Sequence, residues 1–164
     1  DGDGYQALVM PYDGHELSML LVMPDAGTLG DFEASLDAAR IDEIDGALQE
    51  HGVDVQMPKF KFDASFSLVK PLSELGMGIA FSDGADFSGI TTESALAISD
   101  VLHKSFAAVN EAGTEAAAAT AVIVGETSAP EPAAITLDHP FLFMIRDDAT
   151  GTILFVGRVT DPSK

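Results

Sequence analysis

The sequence is poor in basic residues and has no cysteine: its 164 residues include 8 lysines and arginines against 27 aspartates and glutamates. Without cysteine, disulfide bonds and thiol chemistry are excluded, although the cellular compartment stays open. The formal net charge of −19 argues against nucleic-acid binding, because phosphate groups would be repelled. The acidity is compatible with solubility, with adaptation to high salt, or with a basic partner such as a cationic protease.

Long apolar runs are also missing. No stretch reaches the roughly 18 apolar residues that a membrane-spanning helix requires, so no membrane segment is predicted. The polar start of the chain does not resemble a secretory signal, which says nothing about export if the chain is a fragment. Hydrophobic residues nevertheless make up 46% of the sequence, which is enough for a sizeable core in one domain.

Catalytic motifs are absent as well. The nearest approach to a Gly-x-Ser-x-Gly elbow is Ser88, but Asp86 stands where the first glycine is needed. The histidines lack the His-Glu-x-x-His spacing, and zinc is not expected without cysteine. There is no Gly-x-x-x-x-Gly-Lys phosphate loop. The sequence therefore predicts neither an enzyme nor a cofactor or metal site.

The first ordered elements are two apolar segments, Tyr5–Tyr12 and Leu17–Met23, whose Asp-Gly connection predicts a β-hairpin. Apolar residues then recur at helical spacing over residues 29–50, which predicts one or two short helices. Thr28 or Asp31 is suited to cap the first of them.

Further along, Val53–Phe62 alternates but contains a proline, which predicts a strand that bends between two sheets. Phe66–Leu75 is interpreted as a short helix. Val101–Asn110 has no uniformly polar face and is predicted to be a central strand covered on both sides. Leu137–Ile145, interrupted by a His-Pro pair, and Thr152–Val159 predict a second hairpin.

Residues 111–132 have no single obvious secondary structure. Glu115–Ala119 favours a helix because alanine is the best helix former, whereas the β-branched residues within Thr120–Val124 favour a strand. Pro130 and Pro132 then exclude a central strand. The pattern alone is compatible with a flexible acidic linker or with a loop that must move.

Four motifs in this chain resemble the serpin family. Glu111–Thr120 (EAGTEAAAAT) is similar to the hinge of an inhibitory serpin's reactive-centre loop, and Ile135–Ile145 (ITLDHPFLFMI) is similar to the serpin signature. Upstream, Phe81–Ile90 and Val101–Phe106 match the family too. The motifs follow the family's order and spacing, and the resemblance extends over nearly the whole chain.

The resemblance implies an α/β, multi-sheet serpin fold with mostly antiparallel strands, a few short helices and an exposed reactive-centre loop. Complete serpins are more than twice as long, so residues 1–164 are expected to be the C-terminal part of a single serpin domain. The reactive-centre loop is expected at about residues 111–132. The neighbouring strand between which this loop would insert is not recognisable here, so only the complete protein is expected to inhibit.

The composition of the hinge supports an inhibitory type. A loop that inserts as a strand must turn alternate side chains toward the core. Thr114, Ala116 and Ala118 share one face with Thr120, are small, and can be buried without desolvating a charge. The hinge predicted from the resemblance consists of Gly113, Thr114, Glu115, Ala116, Ala117, Ala118, Ala119 and Thr120.

Two further residues receive roles from the resemblance. On pattern alone Lys59 belongs to a solvated face, but the family's matching lysine pairs with the glutamate that begins the hinge, here Glu111, and clamps it. On pattern alone His103 is a hydrogen-bonded core histidine rather than a metal ligand. The resemblance places it in the region called the shutter, where the sheet opens.

The reactive bond is predicted by counting along the loop. The family's usual spacing from Gly113 places it between Thr127 and Ser128, with Glu126 as the alternative scissile residue. Counting back from the Pro of the signature gives a slightly later bond, near Ala129. A Thr–Ser bond suits an elastase-like or subtilisin-like serine protease with a small or mid-sized specificity pocket, and Glu126 would suit a glutamate-preferring enzyme.

The mechanism that the resemblance implies is suicide inhibition. A protease attacks the loop, forms an acyl-enzyme, and is trapped when the cleaved hinge inserts into the sheet. The complete protein is expected to be a monomer located outside the cell or in the cell envelope, with a serine protease, or alternatively a cysteine protease, as its partner. The alternative is a non-inhibitory serpin that acts as a carrier or chaperone-like binding protein.

Overall fold

The computed structural model describes residues 1–50, 52–110, 113–114 (backbone only) and 133–163. These residues form the predicted mixed α/β fold. The strands are β1 Tyr5–Pro11, β2 Leu17–Pro24, β3 Val53–Gln56, β4 Phe60–Ser67, β5 Leu102–Asn110, β6 Gly113–Thr114, β7 Ala133–Thr136, β8 Phe141–Asp147 and β9 Ile153–Val159. The α-helices are α1 Leu29–Ser35, α2 Ala38–Ala47 and α3 Val69–Leu72, and α3 is followed by the π-helical turn Ser73–Met77 and the 3-10 turn Gly78–Phe81.

The largest sheet has the strand order β1-β2-β8-β9 and is antiparallel throughout. It consists of the two predicted hairpins, which are therefore confirmed. In the first, Gly14 and His15 take the positive φ angles of 90° and 53° that let the chain reverse tightly. The two hairpins meet where β2 pairs with β8, with Leu20 opposite Met144.

Both faces of this sheet are covered at its centre. On one face, Leu20 and Met144 belong to a buried cluster that also contains Phe32 of α1 and Ile44 of α2. On the other face, the Phe60 ring centroid lies 6.0 Å from that of Phe141 and 5.3 Å from that of Phe143. Burial on both faces explains why β2 and β8 read as continuous apolar runs rather than alternating ones.

The helical region is divided into α1 and α2, each beginning next to a potential capping residue. The side chain of Asp37 accepts a hydrogen bond from the Arg40 amide at 2.8 Å and caps α2. Thr28 occupies the N-cap position of α1, but its hydroxyl donates to the Asp25 carbonyl instead, and its side chain makes no cap bond. The predicted capping role of the Thr28 side chain is therefore wrong, because the preceding turn competes for its hydroxyl.

The segment Val53–Phe62 changes sheets, as predicted from its proline. β3 pairs in parallel with β7, whereas β4 belongs to the sheet ordered β4-β5-β6. Pro58 lies between the two strands, where its missing N–H removes no ladder hydrogen bond. The helix predicted over Phe66–Leu75 is partly wrong, because Phe66 continues the alternation of β4 and α3 covers only Val69–Leu72.

The chain divides into two compact units, Asp1–Phe60 with Ala108–Lys164, and Lys61–Ala107. The first contains the four-stranded sheet and helices α1 and α2. Within the second, the end of β4 is tied to the start of β5, because the Leu68 amide donates to the Val101 carbonyl at 2.8 Å and the Ser67 hydroxyl donates to Asp100 at 2.6 Å.

Candidate reactive-loop site

The predicted hinge starts as a short strand beside β5. In β6, Thr114 lies opposite Val109 and Gly113 opposite Asn110, in antiparallel register. The chain therefore reverses direction between Asn110 and Gly113. Since the strand order is β4-β5-β6, β5 has a strand on each side, and the prediction that it is central is confirmed.

The contact between β5 and β6 is short. β6 is two residues long and pairs only with the last two residues of the nine-residue strand β5. Within the described ranges, no other strand lies on this side of β5. The described residues thus leave Leu102–Ala108 of β5 without a paired strand on the side of β6.

The faces of β5 differ from expectation. Val109 is buried, but Leu102 and Phe106 are 67% and 42% exposed. The prediction that both faces are covered is therefore wrong for this chain, although the strand is central in its sheet. The apolar side chains of β5 indicate that the strand is suited to pack against other elements. Whether its faces are buried depends on which elements lie over them.

His103 is also more exposed than expected. Its side chain lies on β5 with the ring centroid 5.2 Å from that of Phe66, at an interplanar angle of 44°. The interpretation as a core histidine is wrong for this chain, because its neighbours on the strand are exposed as well. The described residues hold no group of three or more side chains that could bind a metal ion. The shutter role of His103 stays a prediction.

Lys59 lies in the connection between β3 and β4, directly after Pro58, and is exposed. Its expected partner, Glu111, lies outside the described residues, so the hinge clamp stays a prediction. The nearby Lys61 has its ammonium 5.5 Å from the centroid of the Phe106 ring, an arrangement that favours a cation–π contact.

The remaining predicted site residues also lie outside the described ranges: the hinge residues Glu115, Ala116, Ala117, Ala118, Ala119 and Thr120, and the reactive-bond residues Glu126, Thr127 and Ser128. The described chain resumes at β7, where Ile135 lies opposite Val55 in parallel register and is buried. Residues 115–132 thus connect strands of two different sheets.

The chain that leaves β7 is tethered at His139, a role that sequence reasoning missed. Its Nε2 lies 2.9 Å from the Pro24 carbonyl oxygen, and its Nδ1 lies 2.7 Å from the carboxylate of Asp138. The pattern had indicated one strand over Leu137–Ile145 with an interruption, whereas β8 begins only at Phe141. Pro140 marks the boundary in the sequence, but it does not reveal the partner of the histidine.

The pair that came closest to a nucleophile motif is a local turn. The Ser88 amide donates to the Asp86 carboxylate at 3.0 Å. This hydrogen bond, together with one from the Ser88 side chain, lowers the pKa of Asp86. A carboxylate stabilised by the turn's own donors is suited to fix the loop rather than to activate a serine.

The architecture is that of a mixed α/β protein in which residues 115–132 connect a strand beside β5 to a strand beside β3. The family model of the serpins, described as serine protease inhibitors, matches residues 1–162. The chain therefore belongs to the serpin family, whose members are in general inhibitors of proteases rather than catalysts.

Individual relatives support the same assignment. An uncharacterized serpin-like protein of Thermococcus kodakarensis is 47% identical, over 99% of this chain and 38% of that protein. The native-state structure of tengpin, a thermophilic serpin, is similar with a TM-score of 0.83 and 31% identity, over 98% of this chain and 43% of tengpin. A thyroxine-binding globulin in complex with thyroxine gives a TM-score of 0.80 and 32% identity, over 98% of this chain and 42% of the globulin.

The chain thus spans about two fifths of the length of these relatives. Cellular location is not decided by family membership, because a relative from Tachypleus tridentatus that is 40% identical is named an intracellular coagulation inhibitor. Among the helices of the described ranges, none has the length and apolar character needed to cross a membrane.

Proposed function

We propose that this chain is the C-terminal part of a single serpin domain and that the complete protein inhibits a serine protease as a suicide substrate. Its reactive-centre loop would be residues 111–132. The observation that carries this proposal is the pairing of Thr114 with Val109, which starts a strand antiparallel to β5. Family membership supports protease inhibition in general.

The register of β6 specifies how the rest of the hinge would pair. Continuing it one residue at a time along β5 places Ala116 opposite Ala107 and Ala118 opposite Ser105. Residues opposite each other in an antiparallel pair share a face of the sheet. Small side chains would therefore meet small side chains on the face that contains the buried Val109.

The same register places Thr120 opposite His103 and puts Glu115 on the opposite face, across from Ala108. The only charge within 113–120 would thus stay away from the face of Val109. Insertion would therefore bury no charge on that face, which removes the largest desolvation cost.

Insertion would also supply backbone hydrogen bonds to Leu102–Ala108, each with a net contribution of about 1 kcal/mol. In the proposed cycle, the protease cleaves between Thr127 and Ser128, or after Glu126, and stays attached as an acyl-enzyme. The released hinge then extends β6 along β5 and carries the enzyme with it before deacylation is complete. Metastability of the uncleaved form provides the driving force.

A Thr–Ser reactive bond favours an elastase-like or subtilisin-like serine protease as the partner, with a cysteine protease as the alternative. We further propose that the complete protein acts as a monomer, outside the cell or in the cell envelope. The absence of recognisable phosphate or metal motifs in the sequence gives no reason to include a cofactor.

A carrier function is the second candidate, since thyroxine-binding globulin has a similar structure. A non-inhibitory serpin does not need an insertable hinge, so bulky or charged residues would be tolerated at Thr114, Ala116 and Ala118. All three positions carry small uncharged residues, which favours the inhibitor.

The test uses the full-length protein that contains this chain, mixed with elastase-like, subtilisin-like and glutamate-specific proteases. A covalent band at the summed mass on a denaturing gel is the expected result, and mass spectrometry of the released peptide should place the cleavage between Thr127 and Ser128. Each protease with its catalytic serine replaced by alanine serves as the control and should give no band. If every protease cleaves the loop and stays active, and the cleaved protein melts no higher than the intact one, inhibition by insertion is wrong.

A further inference from the structure

The helices α1 and α2 form a helical layer, residues 29–47, on one face of the four-stranded sheet. Its only basic residue is Arg40. The acidic residues of the layer are Asp31, Glu33, Asp37, Asp42, Glu43 and Asp45. Three of these carboxylates are paired with arginines: Glu43 with Arg40, Glu33 with Arg158, and Asp45 with Arg146. Six carboxylates against three arginines leave the layer with a surplus of three negative charges, which the rest of a chain of net charge −19 repels.

The apolar attachment of the helical layer is limited. Phe32 is the one buried residue of α1 and Ile44 the one buried residue of α2. Partly buried apolar side chains surround these two. The isolated helices are too short to be stable alone, so their order depends on docking against the sheet.

Each helix is also tied to the sheet by one arginine. Arg146 of β8 contacts Asp45 of α2, and Arg158 of β9 contacts Glu33 of α1 at 2.7 Å. The Arg146 side chain is only 15% exposed, and its Nε also donates to the Ser18 hydroxyl at 3.1 Å. The arginine tether of α2 is therefore half-buried, whereas the arginine tether of α1 lies at the surface.

Salt has different effects on the attraction within the two arginine tethers and on the repulsion among the carboxylates of the helical layer. The Debye length is about 30 Å at 0.01 M salt and about 8 Å at 0.15 M. Tether atoms in direct contact lie well inside either length, and a half-buried pair such as Arg146 with Asp45 is screened little. Repulsion among carboxylates spread over the helical layer acts over longer distances and is screened strongly.

We propose that docking of the helical layer on the sheet depends on ionic strength, so that the layer opens locally at low salt and closes when salt is added. The two arginine tethers and the core contacts of Phe32 and Ile44 hold the closed state. Screening by salt removes the repulsion that opposes them. The stability of the docked helical layer would then depend on ionic strength without a specific ion-binding site.

The test is hydrogen–deuterium exchange, followed by mass spectrometry, on the full-length protein at constant pH. Sodium chloride is raised from about 0.01 M to about 0.3 M, the range over which screening changes most. We expect peptides from residues 29–47 to exchange roughly fivefold more slowly at the higher concentration, and peptides from residues 61–107 to change less. Faster exchange of the helical layer at high salt, or no change, would overturn the proposal.

A matched pair of variants separates the local effect from total charge. Asp42→Asn removes one exposed charge from the helical layer. Asp83→Asn removes one exposed charge elsewhere. The first variant should flatten the salt response of residues 29–47, and the second should leave it. An equal response in both variants would show that total charge alone is responsible, which contradicts the proposal.

Discussion

Thr114 lies opposite Val109, at the point where the chain has turned back on the end of β5. This pair fixes the register in which any continuation of β6 must run. A shift by one residue would exchange the two faces of the hinge, because side chains alternate with a period of two. In the proposed insertion, small residues are therefore required at Thr114 and at the positions that alternate with it, Ala116 and Ala118.

The two faces of the hinge should respond differently to one substitution. Ala116→Arg places a charge on the face of Thr114, and its burial costs several kcal/mol, so the full-length protein should be cleaved as a substrate. We expect the yield of covalent complex to fall at least about tenfold. Ala117→Arg is the matched control on the other face and should keep most of the complex. Equal losses in the two variants would contradict the proposed register.

The clamp between Lys59 and Glu111 predicts coupled stabilities. Single and double alanine variants of the full-length protein should show a coupling free energy above the ~0–1 kcal/mol of an exposed ion pair, because a partly buried pair loses more when broken. Urea unfolding of all four proteins gives the coupling directly. Additive effects of the two substitutions would exclude the clamp.

Arg146 should contribute more to stability than Arg158. Its guanidinium contacts Asp45, Asp148 and Ser18, and its side chain is 15% exposed, whereas the Arg158 side chain is 57% exposed. Arg146→Met keeps the length but leaves carboxylates unpaired, so we expect a loss of about 2–3 kcal/mol in the free energy of unfolding. Arg158→Met should cost about 0–1 kcal/mol. Comparable losses in the free energy of unfolding for the two variants would show that the greater burial of Arg146 does not increase its contribution to stability.

The turn after β8 gives a pH prediction. The Thr150 hydroxyl and amide donate to the Asp147 carboxylate at 2.6 and 2.8 Å, and these bonds lower the pKa of Asp147. The stability they add is present above the ordinary aspartate pKa and is lost as the pH falls through the lowered one. Thr150→Val should raise the pKa of Asp147 toward its ordinary value in an NMR titration. Thr152→Val keeps both bonds and should leave it nearly unchanged; no difference between the variants would contradict this assignment.

The hairpins could be predicted because their signals are local. The Asp-Gly turn lies directly between β1 and β2, and the turn after Asp147 lies directly between β8 and β9, so the signals of each hairpin span only a few residues. Phe66 is the last apolar residue of the β4 alternation, but it was assigned to the helix that follows. The end of β4 is fixed by Leu68, whose amide donates to the distant Val101 carbonyl. The type of each element could thus be predicted from the sequence. The residues at which an element begins and ends depend on contacts with residues far away in the chain.

The environment of the site was less accessible to sequence reasoning. His139 bonds to the carbonyl of Pro24, 115 residues earlier, so no local pattern could indicate this tether. The exposure of Leu102 and Phe106 likewise depends on which elements cover β5, not on the residues of β5 itself. The hinge composition, in contrast, is a property of consecutive residues and could be recognised directly.

The most direct test of the central claim is a disulfide between the hinge and β5. The chain has no cysteine, so Ala107→Cys with Ala116→Cys introduces a single possible pair within it. Opposed residues in an antiparallel pair have Cα atoms about 4.5–5.5 Å apart, which suits a disulfide. In the full-length protein we expect rapid cross-linking after the loop is cleaved and little before. Equal cross-linking before and after cleavage, or none after it, would show that the hinge does not insert along β5.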